Sequence, residues 1–273
     1  MEHLLFPPTR LNASKLKNQL NGKVVLITGA SYGIGENLSR LLAHTNAHLI
    51  LVGRTTEKLI EVQKSIQNEG GSAEIFPVDL RNDDEIQSLI RHLNALPRLD
   101  VFVNNAGKSI RRPLVESLDR YHDFSRTMAI NYEAPVKLML ALLPQLQKSQ
   151  GHVINISAIN VLMAPAPYWA AYQASKTAFD QWFRSATPEI EHLKINTSII
   201  YLPLVKTRMI APTSSYDKMP AMTPEHVAKI IGKCIVNKKR IHKPWWSFFG
   251  ELGSVLFRRT WARMARNRIK SSR

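Results

Sequence analysis

Two rhythms of apolar residues run along this chain. Short, nearly uninterrupted apolar runs recur at 23–28 (KVVLIT), 48–53 (HLILVG), 73–78 (AEIFPV), 100–105 (DVFVNN), 152–157 (HVINIS) and 195–202 (INTSIIYL). Runs of that length, with little polar alternation, predict strands covered on both faces. The stretches between them carry helical spacing, most clearly Ile86, Leu89, Ile90, Leu93 and Leu96 at i, i+3, i+4, i+7 and i+10. Strands that alternate with helices predict an α/β fold with a doubly wound parallel sheet. No internal repeat or low-complexity linker interrupts the pattern, so a single domain is expected over 21–237. A polar lead-in, 1–20, precedes it, and a basic helical extension, 238–273, follows.

Composition narrows the class. With 273 residues, 44% hydrophobic and 21% charged, the chain reads as one ordinary globular domain. No uncharged apolar run approaches the roughly 18–20 residues that span a bilayer. The opening MEHLLFPPTR has an early acid and two prolines and does not read as a secretory signal. The single cysteine, Cys234, excludes an internal disulfide and reads as core of an apolar helix over 227–236. A cytoplasmic location is the simplest expectation. The nine histidines are scattered, and His44 and His48 straddle a helix end and a strand start, so no metal site is expected.

Charge changes the picture. The net charge is +16, and residues 238–273 hold eleven basic residues against one acid, Glu251. Within them Arg259, Arg263, Arg266 and Lys270 share one helical face, with Phe257, Trp261 and Met264 opposite. Trp245, Phe249, Leu252 and Leu256 repeat the apolar spacing upstream. Such a helix can lie on an anionic membrane surface, or can pack on its own domain or a partner subunit with its basic face solvated. Nucleic acid is set aside, because no recognition motif accompanies the charge.

The first strand runs into Thr28-Gly29-Ala30-Ser31-Tyr32-Gly33-Ile34-Gly35, which opens a helix. This arrangement suits a dinucleotide pyrophosphate: glycines let the backbone approach, and the helix start offers free N–H groups and a positive dipole. A plain tight turn is the bland alternative. The second strand ends at Arg54, where an acid would bind the 2′-hydroxyl of NAD. Arginine can instead pair with a 2′-phosphate, which favours NADP(H). The alternative is a solvated surface arginine.

These motifs resemble the short-chain dehydrogenase/reductase superfamily. Its TGxxxGxG turn matches Thr28 to Gly35, its NNAG motif Asn104 to Gly107, and its YxxxK pair Tyr172 and Lys176. Its serine after the fifth strand matches Ser157, its helical asparagine Asn131, and its acid after the third strand Asp79, followed by Leu80. The resemblance implies a Rossmann-like fold, a catalytic tetrad of Asn131, Ser157, Tyr172 and Lys176, and a homo-oligomer. It also implies a cofactor held by Gly29, Ser31, Tyr32, Gly33, Ile34, Gly35, Arg54, Asp79, Leu80, Asn105, Ala106, Gly107, Pro203, Val205 and Thr207, together with Tyr172 and Lys176. Leu204 stands where the family usually has glycine, and Tyr32 where NADP-dependent members often carry a base. Segments 104–132 and 201–225 look like the bacterial single-domain fatty acyl-coenzyme A reductases, which reduce long-chain acyl thioesters to aldehydes with NADPH and share that Pro-Leu-Val sequence.

The residue types suit that chemistry. Tyr172 and Lys176, four apart, share a helix face. The ammonium is expected to draw the phenol's pKa down from its usual value near 10. In reduction Tyr172 would protonate the developing oxyanion and Ser157 would polarise the carbonyl. Lys176 would hold the nicotinamide ribose and Asn131 a water chain, as the family implies. A thioester needs no cysteine here: hydride adds to the carbonyl, the hemithioacetal oxyanion is held by Ser157 and Tyr172, and thiolate leaves. Apolar segments at 159–169 and 209–222 follow strand C-termini, where such sheets bind ligands. They fit a hydrophobic substrate, or ordinary packing under a lid. Three readings follow: a fatty acyl-CoA reductase, a keto-lipid or general carbonyl reductase, and a non-catalytic membrane-associated binding protein.

Overall fold

Each of the six apolar runs forms a strand, with ends within one residue of those expected. The computed structural model describes residues 2–211, 216 and 218–271, without the side chains of Arg268, Lys270 and Ser271. The strands are β1 (Val24–Thr28), β2 (His48–Gly53), β3 (Ser72–Pro77), β4 (Val101–Asn104), β5 (His152–Ala158) and β6 (Asn196–Leu202), joined by a two-residue β7 (Ile241–His242). All pair in parallel, in the order β3-β2-β1-β4-β5-β6-β7. The order reverses between β1 and β4, which opens a crevice beyond their C-terminal ends.

The helices are α1 (Glu2–Leu5), α2 (Ala13–Leu20), α3 (Gly33–Leu42), α4 (Thr56–Asn68), α5 (Asp83–Ala95), α6 (Tyr121–Met128), α7 (Ala134–Ser149), α8 (Ala170–His192), α9 (Pro224–Asn237), α10 (Ser247–Leu256) and α11 (Arg258–Ser271). Side chains alternate along a strand, so β1 feeds two cores. Val25 and Ile27 meet Leu38, Leu42, Leu59 and Ile231 on one face, from α3, α4 and α9. Leu26 meets Leu89, Leu142 and Phe183 on the other, from α5, α7 and α8. The expected apolar stripe of α5 is present, and Asn82 caps it by accepting from the Asp84 and Glu85 amides.

Both flanks take part in the fold. The lead-in buries Phe6, Leu16 and Leu20 in the first core, because α2 lays two leucines four residues apart against α9. The extension supplies β7 to the sheet edge, and Trp246 packs beside Phe6. Between α6 and α7 the chain makes one wide turn of π type, Ala129–Glu133.

Candidate active site

The crevice beyond β1 and β4 deepens into a cavity of about 660 Å³. Gly29 leads the chain into it at φ +69°. A Cβ at that position would stand 2.9 Å from the Ala106 Cα and the Asn105 Nδ2, so the turn and the NNAG segment meet at a contact that only glycine permits. The Thr28 hydroxyl accepts from the amides of Asn105 and Ala106, and the Asn105 amide donates to the carbonyls of Thr28 and Gly29. Tyr32 precedes α3 without capping it by its side chain, which leaves the first helical N–H groups available to an anion.

Nearly every residue expected at the cofactor lines this cavity. Gly29, Ser31, Tyr32, Gly33, Ile34, Arg54, Asp79, Leu80, Asn105, Ala106, Gly107, Pro203, Val205 and Thr207 all do. Gly35 stands back from it: a Cβ there would fall 2.2 Å from the Gly29 carbonyl oxygen, so its part is to let α3 press against the turn. The buried Ser31 hydroxyl faces the cavity with no hydrogen-bond partner among the described residues. An orphaned hydroxyl, a bare helix start and an exposed Arg54 on one wall fit the phosphates and ribose of an NADP molecule.

The four expected catalytic residues also line the cavity. The wide turn carries Asn131, whose side chain accepts from the Lys108 amide and donates to the Lys108 carbonyl and the Ser175 hydroxyl, each at 2.9 Å. Ser157 is the last residue but one of β5, and its hydroxyl donates to the Asp180 carboxylate. Tyr172 and Lys176 rise from the first turns of α8. The Lys176 ammonium donates to the Ile156 carbonyl at 2.8 Å, and burial pulls its pKa down to about 8 against the opposing charge of Asp180.

Burial pushes the Tyr172 phenol up to about 12, with Tyr216 adding to the rise. This corrects the expectation that the ammonium lowers it. Desolvation disfavours the phenolate and outweighs the pull of the nearby ammonium, whose hydrogen bond goes to a backbone carbonyl.

Four features escaped the sequence reading. Asp79 lies in an ion pair with Arg81, which holds its carboxyl below the usual range. The Arg208 guanidinium sits 4.2 Å over the Tyr32 ring, so a cation does stand at the turn position where the sequence lacks a base. Gln173 donates to the Asn160 carbonyl and accepts from the Ala166 amide, which pins the 159–169 loop to α8. Asp180 lies beneath Ser157. Gln173 and Asp180 follow Tyr172 at i+1 and i+8, and that helical register was the available signal for Asp180.

At the substrate end the wall is aromatic and apolar. Trp169 meets Tyr172 edge-on at 5.7 Å and stacks on Tyr216 at 6.0 Å, and Ile159, Met209 and Ile210 continue the surface. Residues 212–215 and 217 of the expected apolar segment lie outside the described residues.

The short chain dehydrogenase family pattern matches residues 23–218. A fatty acyl-CoA reductase of Acinetobacter baylyi is 44% identical over 88% of this chain and 81% of its own length. One from Mycobacterium tuberculosis is 39% identical over 77% and 72%. A metagenomic short-chain oxidoreductase solved in complex with NADP is 30% identical, with a TM-score of 0.68 over 80% of this chain and 92% of that one.

Proposed function

Because this chain belongs to the short-chain dehydrogenase family and is an NADP(H)-dependent oxidoreductase, we propose that it reduces a long-chain fatty acyl-CoA to the fatty aldehyde. The observation that carries the reading is the apolar wall of Ile159, Trp169, Met209, Ile210 and Tyr216, which meets the Tyr172 phenol within the cavity. The 44% identity to the Acinetobacter reductase supports the thioester as the acceptor.

NADPH, when bound, supplies the hydride. The protein's own residues do the rest. Tyr172 is kept protonated by burial and gives its proton to the carbonyl oxygen as negative charge develops there. Ser157 turns its hydroxyl from Asp180 to the same oxygen and stabilises the charge. Lys176 stays buried and cationic below about pH 8, which stabilises the phenolate left on Tyr172. Asn131 fixes the Lys108 backbone on one side and Ser175 on the other, which holds α8 against the wide turn. As the tetrahedral centre collapses, its hydroxyl returns the proton to the Tyr172 phenolate, the carbon–sulfur bond breaks to expel the coenzyme A thiolate, and the aldehyde is left. A substrate with a long acyl chain partitions into lipid, so the reading carries a peripheral membrane site of action.

The test is stoichiometric. Purified protein given NADPH and palmitoyl-CoA releases one free thiol for each NADPH oxidised, and Tyr172→Phe abolishes both signals. NADPH oxidation with ketones alone, without thiol release, overturns the thioester in favour of a carbonyl reductase. Thiol release that survives Tyr172→Phe unchanged overturns the proton donor.

A further inference from the structure

Helix α10 is folded inside out. Ser247, Gly250, Glu251 and Ser254 face the protein, while Phe248, Phe249, Leu252, Val255 and Leu256 face outward, with Phe249 64% and Val255 76% exposed. Of the eighteen large hydrophobic side chains exposed among the described residues, nine lie between Trp245 and Ile269. An exposed patch of that density marks an interaction site.

Charge says what covers it. Arg258, Arg259, Arg263 and Arg266 of α11 are exposed, and the chain carries no acid after Glu251. Glu251 itself is held by Lys243 at 2.7 Å. A second copy of the chain fits poorly, because a two-fold contact through α10 would bring two such arginine clusters together. Neither helix spans a bilayer: α10 has ten residues and α11 fourteen, and no described helix is long and apolar enough to cross a membrane. Aromatic and aliphatic side chains beside a helix whose only charges are positive are what an anionic lipid surface binds in the interfacial plane.

The face is bolted to the active site. A Cβ on Gly250 would stand 2.7 Å from the Met163 Cε, and the Ser254 hydroxyl accepts from the Ala164 amide at 2.9 Å. Met163 and Ala164 belong to the 159–169 loop that supplies Trp169 to the cavity wall. At the other end the Trp245 indole donates to the Leu4 carbonyl, which adds the exposed Leu4 side chain to the patch.

We propose that α10 and α11, with Trp245 and Leu4, form a docking face for an anionic bilayer, and that docking holds the substrate loop at the lipid surface. The docking stands on this face alone, while its use in delivering a substrate rests on the long-chain reading above.

The experiment is sedimentation of the full-length protein with vesicles of phosphatidylcholine, with and without phosphatidylglycerol, beside a sizing measurement. Wild type binds the anionic vesicles, and binding falls by on the order of tenfold or more in about 1 M salt, where screening is nearly complete. Phe248→Ser with Phe249→Ser lowers binding by a similar factor, and so does Arg259→Glu with Arg263→Glu. All four positions are exposed and outside the cavity, so thiol release from a short-chain acyl-CoA stays unchanged. Vesicle binding unaltered in both double variants overturns the proposal. So does a wild type that ignores vesicles and forms a dimer that the phenylalanine variant dissociates. Failure of acyl-CoA turnover with vesicle binding intact would strike only the substrate reading.

Discussion

The Ser157 hydroxyl donates to the buried Asp180 carboxylate at 3.1 Å. Burial raises the carboxyl's pKa, while bonds from Tyr201 and Ser157 and the charges of Arg184 and Lys176 oppose the rise. Asp180 is also the charge that props up the cationic form of Lys176. An ionised carboxylate only accepts, so it turns the serine hydrogen away from the cavity until a carbonyl oxygen competes for it. Asp180 is therefore a positioning residue. Asp180→Asn, which keeps the shape and removes the charge, is expected to move the alkaline limb of kcat/KM to lower pH by about one unit. Asp180→Leu leaves Ser157 and Tyr201 without their acceptor and costs about 1–3 kcal/mol of stability for each, read by thermal melting. A melting shift without a change in the pH limb would assign Asp180 a packing role alone.

The two buried titrating groups set the wild-type pH profile. Tyr172 at about 12 stays protonated throughout the physiological range and is always ready to donate. Lys176 at about 8 is cationic below that pH and neutral above it. In the reductive direction kcat/KM is thus flat below about pH 8 and falls as the pH rises through it. A profile that rises through that range would contradict the assignment.

Arg54 stands exposed at the cavity wall at the end of β2. A charge-assisted hydrogen bond contributes about 1.5–3 kcal/mol, so Arg54→Ala is expected to raise the Kd for NADPH roughly tenfold to a hundredfold. Affinity for NADH, which lacks the 2′-phosphate, stays where it was. Equal losses for both nucleotides, read by fluorescence titration, would show that Arg54 does not read the phosphate.

Gly35 gives a stability test with its own control. Gly35→Ala forces a methyl group to within 2.2 Å of a carbonyl oxygen, so α3 must lift off the turn. The expected cost is about 1–3 kcal/mol, or roughly 2–4 °C of Tm for each kcal/mol. Gly253, in α10, has nothing within 4 Å of its built Cβ, and Gly253→Ala is expected to leave Tm unchanged or slightly raised.

The strands and the lining of the cavity were legible because both are written locally. A parallel strand buried on two faces is a continuous apolar run, and a pyrophosphate turn is a glycine pattern at a strand end. Other features needed the third dimension. β7 is two residues, Ile241 and His242, set in a basic stretch, and its pairing with β6 has no sequence period to announce it. Leu16 and Leu20 sit among polar neighbours, so only their contact with α9 shows that the lead-in belongs to the core. The phenol at 172 was expected to titrate low because its lysine neighbour is visible in the sequence, whereas the burial that outweighs that charge is not. Arg208 reaches the Tyr32 ring from beyond β6, a pairing that only the fold brings together.

The wide turn at Ala129–Glu133 takes up one residue more than an α-helical turn would, and that surplus keeps two surfaces in phase. Each residue of an α-helix advances the azimuth by about 100°. Ahead of the turn, Asp123 and Thr127 point inward; beyond it, Leu138, Met139, Leu142 and Leu146 meet the sheet. Shortening the segment by one residue, as in a deletion of Ile130, would restore a regular helix at the expense of that registry. Either Asn131 would swing off the Lys108 backbone or the leucines of α7 would rotate into water. Here the spacing between residues does what no single side chain could.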